Sequence, residues 1–158
     1  MLALVGGAQA AVRKPRGLVV MGYPLSGRCP AAGIADAVDR WEMNACNCTS
    51  YVAWALDVNG QRVDWFVPGA MDAWNWPNVA RRAGLVVSLT PRVGSAVVWA
   101  QLSRPFGHVA YVTRVHAGGT FDVSEYNLGP RFGHRPYTYD ERRDVSPRGA
   151  VFIYVPRR

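Results

Sequence analysis

Four residues of this chain have the types and spacing to make and orient an activated nucleophile: Cys48, His108, Glu125 and Asn127. A thiol attacks as its thiolate, and both a helix N-terminus and a neighbouring imidazolium favour that form. Cys48, Tyr51, Val52, Ala55, Leu56 and Asn59 recur at the i, i+3, i+4, i+7 spacing of one helical face, and Asn59-Gly60 supplies a stop. The spacing predicts a helix from Asn47 onward with Cys48 in its first turn, on the buried side.

His108 to Val115 and Thr120 to Asn127 read as two strands of a hairpin turned at Gly118-Gly119. A two- or four-residue loop pairs even positions of the first strand with odd positions of the second, so His108 shares a face with Glu125 and Asn127. Ala110, Val112, Phe121 and Val123 make the rest of that face apolar, and it is the face expected to receive the helix carrying Cys48. An unpartnered carboxylate there costs on the order of several kcal/mol, so Glu125 needs His108. By accepting the remote ring N–H, Glu125 or Asn127 fixes the tautomer and orientation of the imidazole. Taken singly, a buried Cys is more often a core residue and a lone His a structural hydrogen-bonding group; their joint placement is what carries the chemistry of a cysteine hydrolase. Cys46, two residues from Cys48, points elsewhere at a helix start and is the weaker nucleophile. His116 and His134 fall in turn or loop contexts and are expected to be solvated.

The elements that position these residues follow from the pattern around them. A second helix is expected after Trp76, with Pro77 suited to its first turn and Gly84 to its C-terminal cap. Trp65, Trp74 and Trp76 fall between the helices as core or cleft wall. Beyond Gly84 the period becomes two, and Ala96 to Trp99 and Ala150 to Val155 join the hairpin as strands. Residues 128–148 read mainly as a long loop with one short strand around Tyr137 to Tyr139. Helices first and strands afterwards argue for an α+β domain with an antiparallel sheet.

The 158 residues suit one domain, and 49% hydrophobic with 18% charged residues excludes global disorder. No window approaches the roughly 18 unbroken apolar residues of a membrane helix. Residues 1–31 read as an extended arm, with Leu2 to Ala10 resembling the tail of a secretory signal peptide, and residues 32–158 as the catalytic domain. The net charge of +7 comes almost wholly from scattered arginines, Lys14 being the single lysine. It attracts polyanions in general, without the dense stripe that specific nucleic-acid binding needs.

Five stretches resemble the CHAP domains (cysteine, histidine-dependent amidohydrolase/peptidase) of the papain-like superfamily. They are Asn47-Cys48-Thr49-Ser50-Tyr51 with Trp54-Ala55-Leu56, the Pro91-x-x-Gly94 turn, Gly107-His108-Val109-Ala110-Tyr111-Val112, Ser124-Glu125-Tyr126-Asn127, and Val151-Phe152-Ile153-Tyr154, spanning about residues 35–155. The resemblance implies a papain-like α+β fold with N-terminal helices packed on the sheet. It also implies Cys48 as nucleophile, His108 as general base and acid, Glu125 as its orienting group and Asn127 as an auxiliary polar residue. Asn47 stands where the family often has Gln, and Ser95 where an Asp commonly follows the glycine. Some members carry an acidic calcium loop near the nucleophile; here Arg40 to Cys46 offers only Glu42, so no metal is expected, and the reaction calls for no cofactor.

The implied substrate is the peptide part of bacterial peptidoglycan, cleaved by a monomer without a specific nucleic-acid partner. A small amide substrate and a non-catalytic envelope-binding domain are the rival readings. The compartment is the cell envelope or exterior, or the host cytoplasm for a phage lysin. An oxidising compartment would leave Cys29 and Cys46 as the one pair whose bridge spares Cys48; in a reducing one all three stay free.

Overall fold

The computed structural model describes residues 17–29 and 37–158. The signal-peptide-like stretch lies outside the described residues. Helix α1 (Cys48–Val58) is buried over the whole run Thr49 to Leu56, more than a one-faced amphipathic helix requires. The segment 17–29 supplies part of that cover, packing on Tyr51, Trp54 and Tyr126. The Tyr23 ring lies 5.7 Å from Tyr51 and 5.8 Å from Trp54. Tyr51 Oη donates to the Val20 carbonyl at 2.8 Å, and the Asn59 side chain both accepts from Val19 N–H and donates to its carbonyl, each at 2.8 Å. The extended Gly/Pro-rich segment is thus one wall of the core.

A second helix, α2 (Trp76–Arg82), follows a 3-10 turn at Ala73–Asn75, with Pro77 in its first turn and Gly84 at positive φ just past its end. Trp65 and Trp76 are core, whereas Trp74 is exposed. Six strands then form one antiparallel sheet: β1 (Val86–Ser88), β2 (Ala96–Trp99), β3 (His108–Val115), β4 (Phe121–Tyr126), β5 (Tyr139–Val145) and β6 (Val151–Tyr154), in the order β1-β6-β2-β3-β4-β5. The α+β class holds. Residues 128–148 are mainly loop and turn, but the strand within them is longer and lies further along than the one expected around Tyr137 to Tyr139: β5 occupies Tyr139 to Val145. Its sequence YDERRDV lacks apolar alternation because it is an edge strand, stabilised by ion pairs rather than by an apolar face.

The β3–β4 register corrects the hairpin expectation and recovers its consequence. His116 and Thr120 flank a three-residue loop, which places Val115 opposite Phe121 and Arg114 opposite Asp122. Left alone, that odd loop would put His108 and Glu125 on opposite faces. A bulge between Val112 and Arg114 shifts the register so that Val112 faces Val123 and Tyr111 faces Ser124, restoring the even-with-odd pairing.

The two faces bury different cores. Helix α1 packs with Val98, Val109, Tyr111, Tyr126 and Ile153. That is the face opposite to the one expected to receive it. Val97, Trp99, Ala110, Val112, Phe121, Val123 and Phe152 form a separate cluster on the side of His108 and Glu125. Phe121 and Phe152 lie three strand spacings apart, roughly 14 Å in a flat sheet, yet their ring centroids are 5.1 Å apart. The sheet curls around this second cluster, which therefore needs no helix to cover it.

Cys29 and Cys46 form a disulfide with Cα atoms 5.8 Å apart, and Cys48 is free. The bridge ties the segment 17–29 to the residue two before Cys48. Thiol counting on the non-reduced, denatured protein should find one free thiol, at Cys48. Urea unfolding of the Cys29→Ser/Cys46→Ser protein should show a loss of roughly 2–4 kcal/mol, the usual effect of removing such a bridge.

Candidate active site

Cys48 is the first residue of α1, and no side chain caps that end. The first intrahelical donor is Tyr51 N–H, bonded to the Asn47 carbonyl at 3.1 Å. Among the described residues the amides of Cys48, Thr49 and Ser50 carry no such bond, as expected of a helix start. The preceding loop is fixed from within. Asp39 Oδ1 accepts from Trp41 N–H and Met43 N–H at 2.8 and 3.0 Å, and Cys46, at φ +65°, donates its N–H to Tyr23 Oη. Tyr23 Oη also meets Ser50 Oγ at 2.5 Å, so the segment 17–29 holds the helix start directly.

His108 is the first residue of β3 and stands at the rim of the sheet beside that helix start, 1% exposed. Its Nε2 lies 2.7 Å from Oε2 of Glu125, which is fully buried on β4, and Cys48 lines the same cleft close enough to raise the pKa of the ring. With Nε2 taken by Glu125, Nδ1 is left for the thiol. Burial disfavours the imidazolium, but Cys48 and Glu125 outweigh it and push the His108 pKa up to about 9. Burial likewise opposes the Glu125 carboxylate, and the bonds from His108 and Arg142 overcome it, holding its pKa below the usual glutamate range.

Asn127 comes to the same cleft, but its bonds lie elsewhere than on His108. Its Nδ2 donates to Asn47 Oδ1 at 2.7 Å and its Oδ1 accepts from Tyr137 N–H at 2.8 Å. It joins the end of β4 to the residue before Cys48. Cys46 is withdrawn into its disulfide. His116 and His134 do sit outside the site in turn and loop, yet each ring nitrogen contacts a carboxylate, Asp122 at 2.7 Å and Asp140 respectively, rather than solvent alone.

The cleft has a volume of about 400 Å³; Cys48, His108 and Asn127 line it together with Asn44, Met71 and Phe106. Its remaining charged residues are Glu42 and Asp72, and among the described residues no arginine lines it. Gly107 sets one wall. At φ +74°, a Cβ there would lie 2.6 Å from the Trp74 nitrogen, whose N–H donates to the Phe106 carbonyl, so the loop before His108 closes on the Trp74 turn only with glycine.

Sequence reasoning missed Arg142 and Trp99. Arg142 Nε and Nη2 lie 2.5 and 2.9 Å from Glu125 Oε1 and Oε2, and Arg142 packs over the Trp99 ring. The Arg142-Arg143 pair reads as scattered surface charge until β5 is known to lie beside β4.

The CHAP domain model matches residues 38–127, and the chain belongs to that family. It is 45% identical over 84 residues to the staphylococcal secretory antigen ssaA2 of Staphylococcus aureus, covering 53% of this chain and 29% of the relative. The secretory antigen SsaA of the same species is 43% identical over 58 residues, covering 37% and 22%. Among solved structures, an N-acetylmuramoyl-L-alanine amidase from Staphylococcus aureus superposes with a TM-score of 0.59 at 25% identity, over 72% of this chain and 31% of that one. The chain thus spans less than a third of the length of each of these proteins.

Because the folded pKa of His108 lies above its ordinary 6.5, the pairing stabilises the fold fully below about pH 6.5, and that contribution is lost as pH rises through about 9. Removing the sulfur should lower the value. An NMR titration of the His108 ring should show its midpoint falling in Cys48→Ala relative to the wild type; an unmoved midpoint would mean that no thiolate faces the ring.

Proposed function

We propose that the protein is a cysteine amidohydrolase that cleaves an amide bond in the peptide part of bacterial peptidoglycan. The observation that carries this reading is the line Cys48–His108–Glu125 at the edge of an open cleft, with the thiol at a helix N-terminus. Membership of the CHAP family and likeness to an N-acetylmuramoyl-L-alanine amidase support the substrate class, with the muramoyl–alanine amide as the leading bond and an interpeptide link as the other. The Cys29–Cys46 bridge and the secretory antigens among its relatives support action outside the cell, where disulfides persist.

In this reading the Cys48 thiolate attacks the amide carbonyl. The oxygen of the tetrahedral intermediate takes its hydrogen bonds from the unpaired amides at the start of α1, which also present the positive end of the helix dipole. His108 gives its proton to the departing amine, leaving a thioester. It then takes a proton from the water that hydrolyses the thioester, and Glu125 holds the ring in place through both steps. Asn127 acts by positioning, fixing Asn47 and with it the peptide that leads into Cys48.

Cys48→Ala and His108→Ala should each abolish release of fragments from purified peptidoglycan while the protein stays folded, because the pair acts as one unit. Wild-type turnover in a folded Cys48→Ala protein would end the proposal. Glu125→Gln should keep partial activity, since an amide oxygen still accepts the ring N–H. Mass spectrometry of the fragments names the bond. EDTA should leave the rate unchanged, and a loss restored by zinc or calcium would overturn the mechanism.

Iodoacetamide should label Cys48 faster than a model thiol, because His108 beside it can take up the proton as the sulfur attacks. Labelling no faster than the model thiol would count against an activated nucleophile.

A further inference from the structure

Glu125 is the hardest residue in the molecule to accommodate, a carboxylate with no solvent exposure on a face otherwise built of Val, Trp and Phe. One hydrogen bond from His108 leaves most of its acceptor capacity unmet, and a single bond lets a carboxylate rotate. The rest is supplied from β5. Arg142 Nε bonds Oε1 at 2.5 Å and Nη2 bonds Oε2 at 2.9 Å, a two-point fork whose Oε2 end is shared with His108. The guanidinium carbon sits 4.9 Å from the centroid of the Trp99 ring. That ring in turn stacks on His108, with centroids 6.2 Å apart and planes 23° apart. The four side chains come from four neighbouring strands and close a loop: Arg142 to Glu125 to His108 to Trp99 and back to Arg142.

We propose that Arg142 is the positioning residue of the reaction, gripping Glu125 in one plane and one ionisation state so that His108 is held toward Cys48, with Trp99 as the surface on which both cations are laid. The role rests on the cysteine-hydrolase reading above but concerns a residue outside its triad. A lysine cannot replace the fork, because it offers a point charge in place of two fixed parallel donors. The charged and titratable groups around the pair are Cys48 from α1, His108 from β3, and Arg142 and Asp140 from β5. Asp140, opposite Glu125 in the register, is turned to His134, so Arg142 is the cation that neutralises Glu125 when His108 gives up its proton.

The test compares Arg142→Met and Arg142→Lys by two readouts: wall turnover, and the pH dependence of Cys48 alkylation by iodoacetamide, which needs no wall substrate. Arg142→Met should lower kcat on the order of 10- to 100-fold, the scale of a charge-assisted hydrogen bond, with KM little changed. It should also move the acid limb of alkylation up by roughly one pH unit, because Glu125 then takes a proton more readily and the imidazolium loses its counterion. Arg142→Lys should return the acid limb toward wild type while kcat stays low. In a Glu125→Gln background, Arg142→Met should cost little more, which a purely structural role would not produce.

Wild-type kcat in a folded Arg142→Met protein would overturn the proposal, as would a fall in kcat with an unmoved acid limb, or full rescue by lysine. If Arg142→Met does not fold, the lysine variant decides alone: a low kcat with a near-normal acid limb sustains the fork, and wild-type kcat removes it. A wild type that leaves peptidoglycan intact, combined with the expected alkylation shifts, would refute the substrate and keep the Arg142 role.

Discussion

A buried carboxylate constrains this fold more than any apolar contact does. Glu125 has no solvent exposure and lies among aromatic and β-branched side chains, where an unpaired charge costs several kcal/mol on the order of the usual desolvation penalty. It is tolerated because β3 presents His108 and β5 presents Arg142 to it simultaneously. That requirement fixes much else: the β3 bulge that restores the facing of His108 and Glu125, the β5 strand that brings Arg142 alongside, and the Trp99 ring at the end of β2. The ion pairs on this face are therefore as much a part of the fold as of the candidate site.

The second constraint is at the other end of the chemistry, at the start of α1. A helix N-terminus that stays uncapped and opens to a cleft must be held by something other than its own cap. Here the supports come from outside the helix. Tyr23 bonds both Ser50 and Cys46, Asn127 bonds Asn47, and the Cys29–Cys46 disulfide anchors the segment that carries Tyr23. Two separate stretches of chain, the segment 17–29 and the residue after β4, thus converge on the five residues around Cys48 and hold that residue beside His108 in the cleft.

Charge is distributed with the same division. Among the described residues the arginines lie on the surface and on β5, whereas the cleft beside Cys48 carries Glu42 and Asp72 as its charged lining beyond His108. The charge of the cleft itself favours neutral or cationic groups near the thiol.

The linear sequence by itself determined the helix that begins at Cys48, the strands of His108 and Glu125 and the α+β class, and of the cysteines only which pair would spare Cys48 if a bridge formed; that the bridge exists is a finding of the structure. Each of these depends on local periodicity, on turn residues or on counting. What only the tertiary structure decided were relations between distant stretches. The α1 face of the sheet is opposite to that of His108, because the segment 17–29 and the curl of the sheet supply the covers that periodicity assigned to the helix alone. The loop at Ala117–Gly119 has three residues, and a bulge at β3 corrects its parity, a compensation invisible to a pattern that counts from the turn. Arg142 belongs to a strand with no apolar alternation, since an edge strand is selected by its partners' charges, and those partners are known only once β4 lies beside it.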